Sequence, residues 1–547
     1  MIHSRTSSQN HHRSTDTHMT TQPVLIAGAW RQADAASTYQ AENPATGERL
    51  PEAYPVSRWS DCDAALAAAA EAAQVLRGLA PQKLADFLRR YAERIEARAA
   101  DIVERAHLET GYPRAPRLAD VEMPRTTNQL RQAADAAVEG SWSLPTIDTK
   151  LNIRSYLVPL GPVCVFGPNN FPLAFNSIAG GDFVAAIAAG NPVIAKANTS
   201  HPGTTRLFAE EARAAAEETG LPAATVQLIY RTSHEDGARL VSDPRVGATA
   251  YTGSRGAGLV LKEAADRAGK PIYLELSSVN PVLMLPGALA ERGSQLVDEF
   301  TTSCLMGTGQ FCTNPGLVLF LEGEATEQFI AATSAKFAAQ ATPGVLLSSG
   351  VARSLAASVT KLTEAGAKLV VGGKPVEGPG YRYANTLLRV TAAEFVRNAE
   401  ELQTEAFGNA SLLVVARNAS EAAAVLDHLE GNLTGSVYSA TTGQDDELYQ
   451  QLEAHVRPRV GRLMNDKMPT GVAVSAAMNH GGPYPATGHP GFTAVGIPAA
   501  LRRFGMLACY DNVRANRLPP ALADRNPNGR MWRLVDGQWT RDDVPAK

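Results

Sequence analysis

Cys312 stands in the segment GQFCTNPG, residues 309–316, a short turn flanked by glycines and lined by Gln310, Thr313 and Asn314. A thiol in such a turn is accessible, and neighbouring backbone N–H groups can stabilise negative charge on it. Those conditions favour a thiolate nucleophile. The competing reading is an inert buried cysteine, the usual fate of a free one. Four further segments bear on the choice. In FGPNNFPLAF (166–175), Asn170 is held in a proline-restricted turn, where a rigid amide can donate to a developing oxyanion alongside the Cys312 N–H. In LELSSVNPV (274–282), Glu275 lies between apolar neighbours, so desolvation should raise its pKa towards that of a general base working near neutrality. In YTGSRGAG (251–258), Gly253 permits a tight turn opening a helix whose first N–H groups can bind phosphate. In AKANTSHPGTT (195–205), Lys196 ends a strand within reach of ribose hydroxyls or phosphate. Each also has a bland reading: a turn-forming Asn, a strand Glu paired with Arg, a capping loop, a solvated Lys.

The elements that position these residues are legible as an alternation. Strand-length apolar runs occur at 163–167, 192–196, 225–230 and 247–251, with Ala-rich helical runs between them at 177–190, 204–220 and 233–243. This is the pattern of βαβ units around a parallel sheet. Gly190 and Gly220 mark helix ends. A second alternating region runs from about Asn280 to Val474 and predicts a second α/β domain. Residues 60–140 carry apolar residues at helical spacing.

The 547 residues call for two or three domains. At 44% apolar and 19% charged, with a net charge of −4, the chain reads as a soluble globular protein with no bias towards nucleic acid. Five irregularly spaced cysteines suit a reducing cytoplasm rather than a disulfide framework, and no His/Cys cluster has metal-site spacing, so no metal is expected. The stretch Ile178–Ala197 is too polar to span a bilayer. Residues 1–18 are polar and lack the apolar core of a secretory signal; they read as a disordered extension, with Met19 as an alternative start.

Taken together and in order, N-N-F-P, T-G-S-x-x-x-G, E-L-S-S-x-N-P, G-Q-F-C-T-N-P-G and E-A-F-G (405–408) resemble the aldehyde dehydrogenase superfamily from about Val24 to Trp539. That resemblance implies an α/β fold with three parts. These are a Rossmann-like cofactor domain (19–146 and 161–283), a catalytic domain (284–497) and a small β oligomerisation flap (147–160 and 498–516), followed by a tail at 517–547. It implies a homodimer or homotetramer. It assigns Cys312 as nucleophile, Asn170 as oxyanion donor and Glu275 as the base for thioester hydrolysis. Lys196 and Glu405 would bind ribose hydroxyls, Phe407 would pack near the nicotinamide, and Gly253 and Ser254 would meet the pyrophosphate.

Two departures from the family pattern stand out. Thr199 occupies the position of a ribose-binding Glu, which removes repulsion against a 2′-phosphate, and Arg231 and His234 could add positive charge. The cofactor is therefore NADP or NAD, with these three residues favouring NADP. Asn169 replaces the usual aromatic residue before the oxyanion Asn. The segments ELSSVNPVLMLPGALAERG, HGGPYPATGHPGFTAVG and NPNGRMWRLVDGQWTR look like those of 2,5-dioxopentanoate (α-ketoglutarate semialdehyde) dehydrogenases, in a branch that also holds NADP-linked dehydrogenases of fatty aldehydes. Arg125 and Arg131 are six residues apart on one helix, so at most one faces a substrate tunnel, and His489 and Phe492 are candidates for its mouth. A cysteine esterase is the alternative from another class, although it would not need Lys196, Glu405, Phe407 or the Gly253 turn.

Overall fold

Four sheets organise the chain in a computed structural model that describes residues 21–340 and 342–545. The proposed extension at 1–18 and the alternative start Met19 lie outside the described residues. The first sheet has seven strands in the order Ile272–Glu275, Ala248–Thr252, Val163–Phe166, Val193–Lys196, Val226–Ile229, Val24–Ile26, Ala29–Arg31. The first five are parallel and the last two form an antiparallel hairpin at the edge. Strands of this kind are covered by helices on both faces, which is why VCVF at 163–166 and VQLI at 226–229 are continuous apolar runs, buried throughout.

The strand order places a switch beside Val163–Phe166. From there the chain winds outward through 193–196 and 226–229, then returns to the other side for 248–252 and 272–275. Crevices at the carboxyl ends of strands next to such a switch are where open α/β sheets bind ligands. Lys196 and Glu275 are the last residues of their strands, and Asn170 and Gly253 follow theirs.

The second sheet runs Lys368–Val371, Thr386–Thr391, Ala410–Ala416, Leu317–Leu321, Val282–Met284, Asn432–Tyr438, Val460–Asn465, all parallel except for the antiparallel first strand. One apolar cluster surrounds the first sheet, and two others pack on the second. The region expected to be helical, 60–140, divides into Trp59–Leu76, Pro81–Ala97, Ala99–Thr110 and Met123–Glu139, with a π-helical turn at Arg114–Glu122.

The remaining two sheets differ from the simple three-part division. Ala35–Asn43 and Glu48–Ser57 form a small sheet of their own with Arg231–Thr232. In the flap, Ile153–Pro159 pairs with Gly505–Asp511 and Thr146–Asp148, but the sheet then continues through Arg533–Val535 and Gln538–Thr540. The segment set apart as a tail is thus a working part of the flap sheet. Its short strands alternate too few residues to stand out as strands in the sequence.

Arg503 roots the flap. It lies just before Gly505–Asp511 and pairs with Asp182 at 2.8 Å, both groups almost completely buried. Its guanidinium also stacks on Phe492 and Phe504, each 4.9 Å away. Removing one member of a buried pair leaves the other charge uncompensated. Arg503→Ala should therefore lower the unfolding free energy by about 3–5 kcal/mol. Urea unfolding of the two proteins measures this, and a change below about 1 kcal/mol would show the pair to be dispensable.

Candidate active site

The cysteine turn is fixed from beneath by Asn280, the last polar residue of the E-L-S-S-x-N-P segment. Asn280 has left-handed backbone geometry (φ 48°) and is fully buried. Its Nδ2 donates to the carbonyls of Cys312 and Asn314, at 2.9 Å each. Its Oδ1 accepts from Ser278 Oγ and Thr434 Oγ1. The Asn432 side-chain oxygen completes the knot by accepting from the N–H groups of Val279 and Asn280. The segment carrying Glu275 and the segment carrying Cys312 are thereby bonded into one unit. From the other side Gly309 (φ 68°) approaches the 405–408 segment so closely that a Cβ there would lie 2.1 Å from the Gly408 carbonyl oxygen. Glycine is required at that contact.

Asn170 reaches the same place from the first sheet. Its Nδ2 donates to the Gln310 carbonyl at 3.0 Å, which uses one of its two N–H bonds. Among the described residues, no acceptor bonds the Cys312 N–H. The Asn170 turn is braced by Arg117 and Glu122, a pair that sequence reasoning missed. Arg117 donates to the Asn170 carbonyl (3.1 Å), pairs with Glu122 (2.9 Å) and stacks on Phe171 and Phe311. Glu122 accepts the N–H groups of Leu173 and Ala174. With Asn169 in place of an aromatic residue, this brace gives the loop its rigidity.

Glu275 is buried, and its Oε1 lies 2.8 Å from His480 Nε2. The same nitrogen lies 3.3 Å from Cys312 Sγ. His480 was the largest omission from the sequence reading. It is the first residue of HGGPYPATGHPGFTAVG, so the motif was visible, but nothing in its spacing relates it to positions 275 and 312. The ligand atoms of Glu275, Cys312 and His480 lie within 4.8 Å of one another.

The electrostatics reverse one expectation. Cys312 is half-buried rather than open, and its thiol is pushed well above the ordinary range, first by burial and then by the negative charge of Glu275, which also accepts its hydrogen bond. The resting group is a thiol, with a carboxylate beside it able to take its proton.

The remaining candidates lie along a cleft of about 960 Å³ that Cys312, Glu275 and Asn170 also line. Lys196, Thr199, Arg231, His234, Gly253, Ser254, Glu405 and Phe407 all line it. Burial, with a further push from Arg231, lowers Lys196 to about 8. Burial raises Glu405 to about 7. Glu275 and Glu405 are the cleft's only acidic lining residues among those described, and Lys196 and Arg231 line it close enough to each other for their charges to interact. Ser254 precedes the helix Arg255–Arg267, and Ser233 caps His234–Ser242 by accepting from the Asp236 N–H.

Of the tunnel candidates, Arg131 points outward and pairs with Glu96, whereas Arg125 is half-buried over Phe175. Phe492 does not line a mouth: it is buried beneath Arg503, whose cation it covers. His489 is exposed and packs on Tyr273.

A parallel-sheet crevice lined by a half-buried cysteine, a buried carboxylate and a buried amide suits covalent chemistry on a carbonyl, and residues 30–482 match the aldehyde dehydrogenase family. The chain belongs to that family. It is 38% identical to alpha-ketoglutaric semialdehyde dehydrogenase 2 of Azospirillum brasilense, over 94% of this chain and 98% of that one. It is 35% identical to the alpha-ketoglutaric semialdehyde dehydrogenase of Acinetobacter baylyi, over 88% and 92%. Its fold matches aldehyde dehydrogenase C of Pseudomonas syringae, solved with NAD+ and octanal, with a TM-score of 0.76 at 22% identity over 90% of this chain and 96% of that one. No helix among the described residues is long and apolar enough to cross a membrane.

The role of Glu275 in holding the thiol protonated is open to direct measurement. Glu275→Gln removes the negative charge, so the Cys312 thiol should ionise more easily and react with iodoacetamide at pH 7 about tenfold faster, the effect of lowering a thiol by one unit. Peptide mass spectrometry separates Cys312 from the exposed Cys509 and the buried Cys62, Cys164 and Cys304. An unchanged or slower rate at Cys312 would contradict the charge argument.

Proposed function

We propose that this NAD(P)-dependent aldehyde dehydrogenase oxidises 2,5-dioxopentanoate to 2-oxoglutarate, with Cys312 as nucleophile. The observation that carries the reading is the convergence of Cys312, Glu275 and Asn170 in one cleft with the candidate cofactor-binding residues. The similarity to the two alpha-ketoglutaric semialdehyde dehydrogenases supports the substrate.

Cys312 Sγ bonds to the aldehyde carbon, and its proton passes to Glu275, whose Oε1 is held by His480. The carbonyl oxygen becomes an oxyanion, held by the second Asn170 N–H and the Cys312 backbone N–H. When bound, the nicotinamide cofactor supplies the hydride acceptor that turns this adduct into a thioester. Once Glu275 has released that first proton to solvent, it takes a proton from water, which attacks the thioester carbon and expels the Cys312 sulfur as a thiolate; the same proton then returns to the sulfur and restores the resting pair. Among the described residues nothing donates a hydrogen bond to Glu275 Oε2, which suits that task.

The cleft fits NADP or NAD. Lys196 and Glu405 suit ribose hydroxyls, Gly253 and Ser254 the pyrophosphate, and Phe407 the nicotinamide. Thr199, Arg231 and His234 favour a 2′-phosphate, because Thr199 brings no carboxylate and Arg231 is close enough to Lys196 for the two cations to interact. Assembly as a homodimer or homotetramer is supported by the flap's edge strand Gly505–Asp511, which exposes Met506 and Leu507. The cysteine usage supports a cytoplasmic setting.

The substrate is tested by NADP and NAD reduction with 2,5-dioxopentanoate, glutarate semialdehyde and hexanal. The expected order puts 2,5-dioxopentanoate first in kcat/KM. Preference for hexanal would assign the protein to general or fatty aldehydes, and ester cleavage without reduction of either cofactor would return the esterase reading. Cofactor affinity should peak between about pH 7 and about pH 8. Below this window Glu405 is protonated and loses acceptor strength; above it Lys196 loses its charge. Fluorescence titration across pH 6–9 (on the order of one unit beyond either group) checks this, and a flat profile would remove both groups from the binding site.

A further inference from the structure

The groups around the sulfur are also a set of metal ligands. His480 Nε2 lies 3.3 Å from Cys312 Sγ and 2.8 Å from Glu275 Oε1. One ligand atom from each of the three residues falls within 4.8 Å of the other two. Thiolate, imidazole and carboxylate are the ligand types zinc takes, at about 2.3 Å from sulfur and about 2.0–2.2 Å from nitrogen or oxygen. Bonds of those lengths at tetrahedral angles set the ligand atoms roughly 3.3–3.6 Å apart. The sulfur–nitrogen separation lies in that range. The nitrogen–oxygen separation has to open by about 0.5 Å, as the metal replaces the hydrogen bond between His480 and Glu275.

The surroundings are built for such an ion. Glu275 and His480 have side chains only 2% and 1% exposed. Among the described residues no N–H or O–H group donates to Glu275 Oε2, so one carboxylate oxygen is free to bond a cation. The His480 backbone is fixed on both sides: its N–H donates to Thr493 Oγ1 at 2.9 Å, and its carbonyl accepts from the Ala494 N–H at 3.0 Å. Cys312 and Glu275 line the cleft, which gives an ion a way in and a water molecule the fourth position. Magnesium and calcium need about six or more oxygen ligands, whereas sulfur and imidazole select zinc or cobalt. The charges of Arg125 and Arg462 reach the sulfur and oppose a dication. The site therefore suits reversible occupation rather than a resident metal.

We propose that Cys312, His480 and Glu275 form an inhibitory zinc site, open while no aldehyde occupies the sulfur. On binding, the Cys312 thiol loses its proton to solvent. Sγ, His480 Nε2 and one Glu275 oxygen bond to the metal, water fills the fourth position, and His480 carries its proton on Nδ1. The metal then holds the nucleophile and the base together. Binding is independent of which aldehyde is oxidised; inhibition rests on the reading of Cys312 as the nucleophile.

The experiment measures zinc retained at equilibrium dialysis by full-length wild type, Cys312→Ser and His480→Gln without cofactor, with cobalt(II) as a spectroscopic probe. Wild type should hold one zinc more than Cys312→Ser, which reports any zinc bound elsewhere. Cobalt should give a sulfur-to-metal charge-transfer band that Cys312→Ser lacks. His480→Gln should bind this zinc more than about 100-fold more weakly, beyond the 10–100-fold loss typical of an outer-shell partner. Zinc should stop NADP reduction by wild type, and EDTA should restore it. Equal zinc affinity in wild type and His480→Gln would overturn the proposal by showing that the sulfur alone holds the metal. Equal zinc in wild type and Cys312→Ser would overturn it as well, and undiminished turnover by the zinc-loaded enzyme would overturn the inhibitory role. A metal-free wild type that oxidises no aldehyde counts against the dehydrogenase reading instead, because dialysis and the cobalt spectrum need no turnover. Should His480→Gln not fold, X-ray absorption of zinc-loaded wild type decides: a sulfur and an imidazole neighbour are expected, and a metal without imidazole would overturn the site.

Discussion

The geometry of this active site depends on the buried amide knot of Asn280 and Asn432. Glu275 belongs to the end of one sheet and Cys312 to a turn leading into another, so nothing in either sheet alone sets the distance between them. Asn280 does so by bonding the carbonyls of Cys312 and Asn314 while its own backbone N–H is held by Asn432. Each polar group in the knot has a partner, which is the condition under which buried amides rigidify a structure instead of weakening it. A carboxylate and a thiol that must exchange a proton need sub-ångström placement, and apolar packing would not supply that directionality.

Burial then disfavours the charged form of each of three titrating groups along the cleft. It keeps the Cys312 sulfur protonated next to Glu275. It brings Lys196 down and Glu405 up until both titrate near neutrality. One physical term, desolvation, thus gives a poorly reactive sulfur and two groups that respond to pH near neutrality. The direction in each case follows from which protonation state bears the charge.

Much of the fold was legible because its strands are buried on both faces and therefore stand out as apolar runs between Ala-rich helices. The flap was less so: Arg533–Val535 and Gln538–Thr540 are three residues each, too short for a period to register. In the site, Cys312, Glu275, Asn170 and the cleft residues sit in local motifs whose composition hints at their chemistry. His480, Arg117, Glu122 and Asn280 matter through contacts with residues far away in the chain, and no local pattern encodes such a meeting. The thiol's resting state was misread for a related reason. A Gly- and Asn-rich turn suggests exposure, but here the turn is roofed by segments that are distant in sequence.

The protonated state of Cys312 also bears on the sulfur's survival. Peroxides oxidise thiolates far faster than thiols, and the first product leads on to irreversibly oxidised acids. A nucleophile kept as a thiol between turnovers, and ionised only while an aldehyde is present to capture it, spends little time in the vulnerable form. In the proposed mechanism the Glu275 carboxylate that takes the sulfur's proton is thus also, by raising the resting thiol, its protection against oxidative loss.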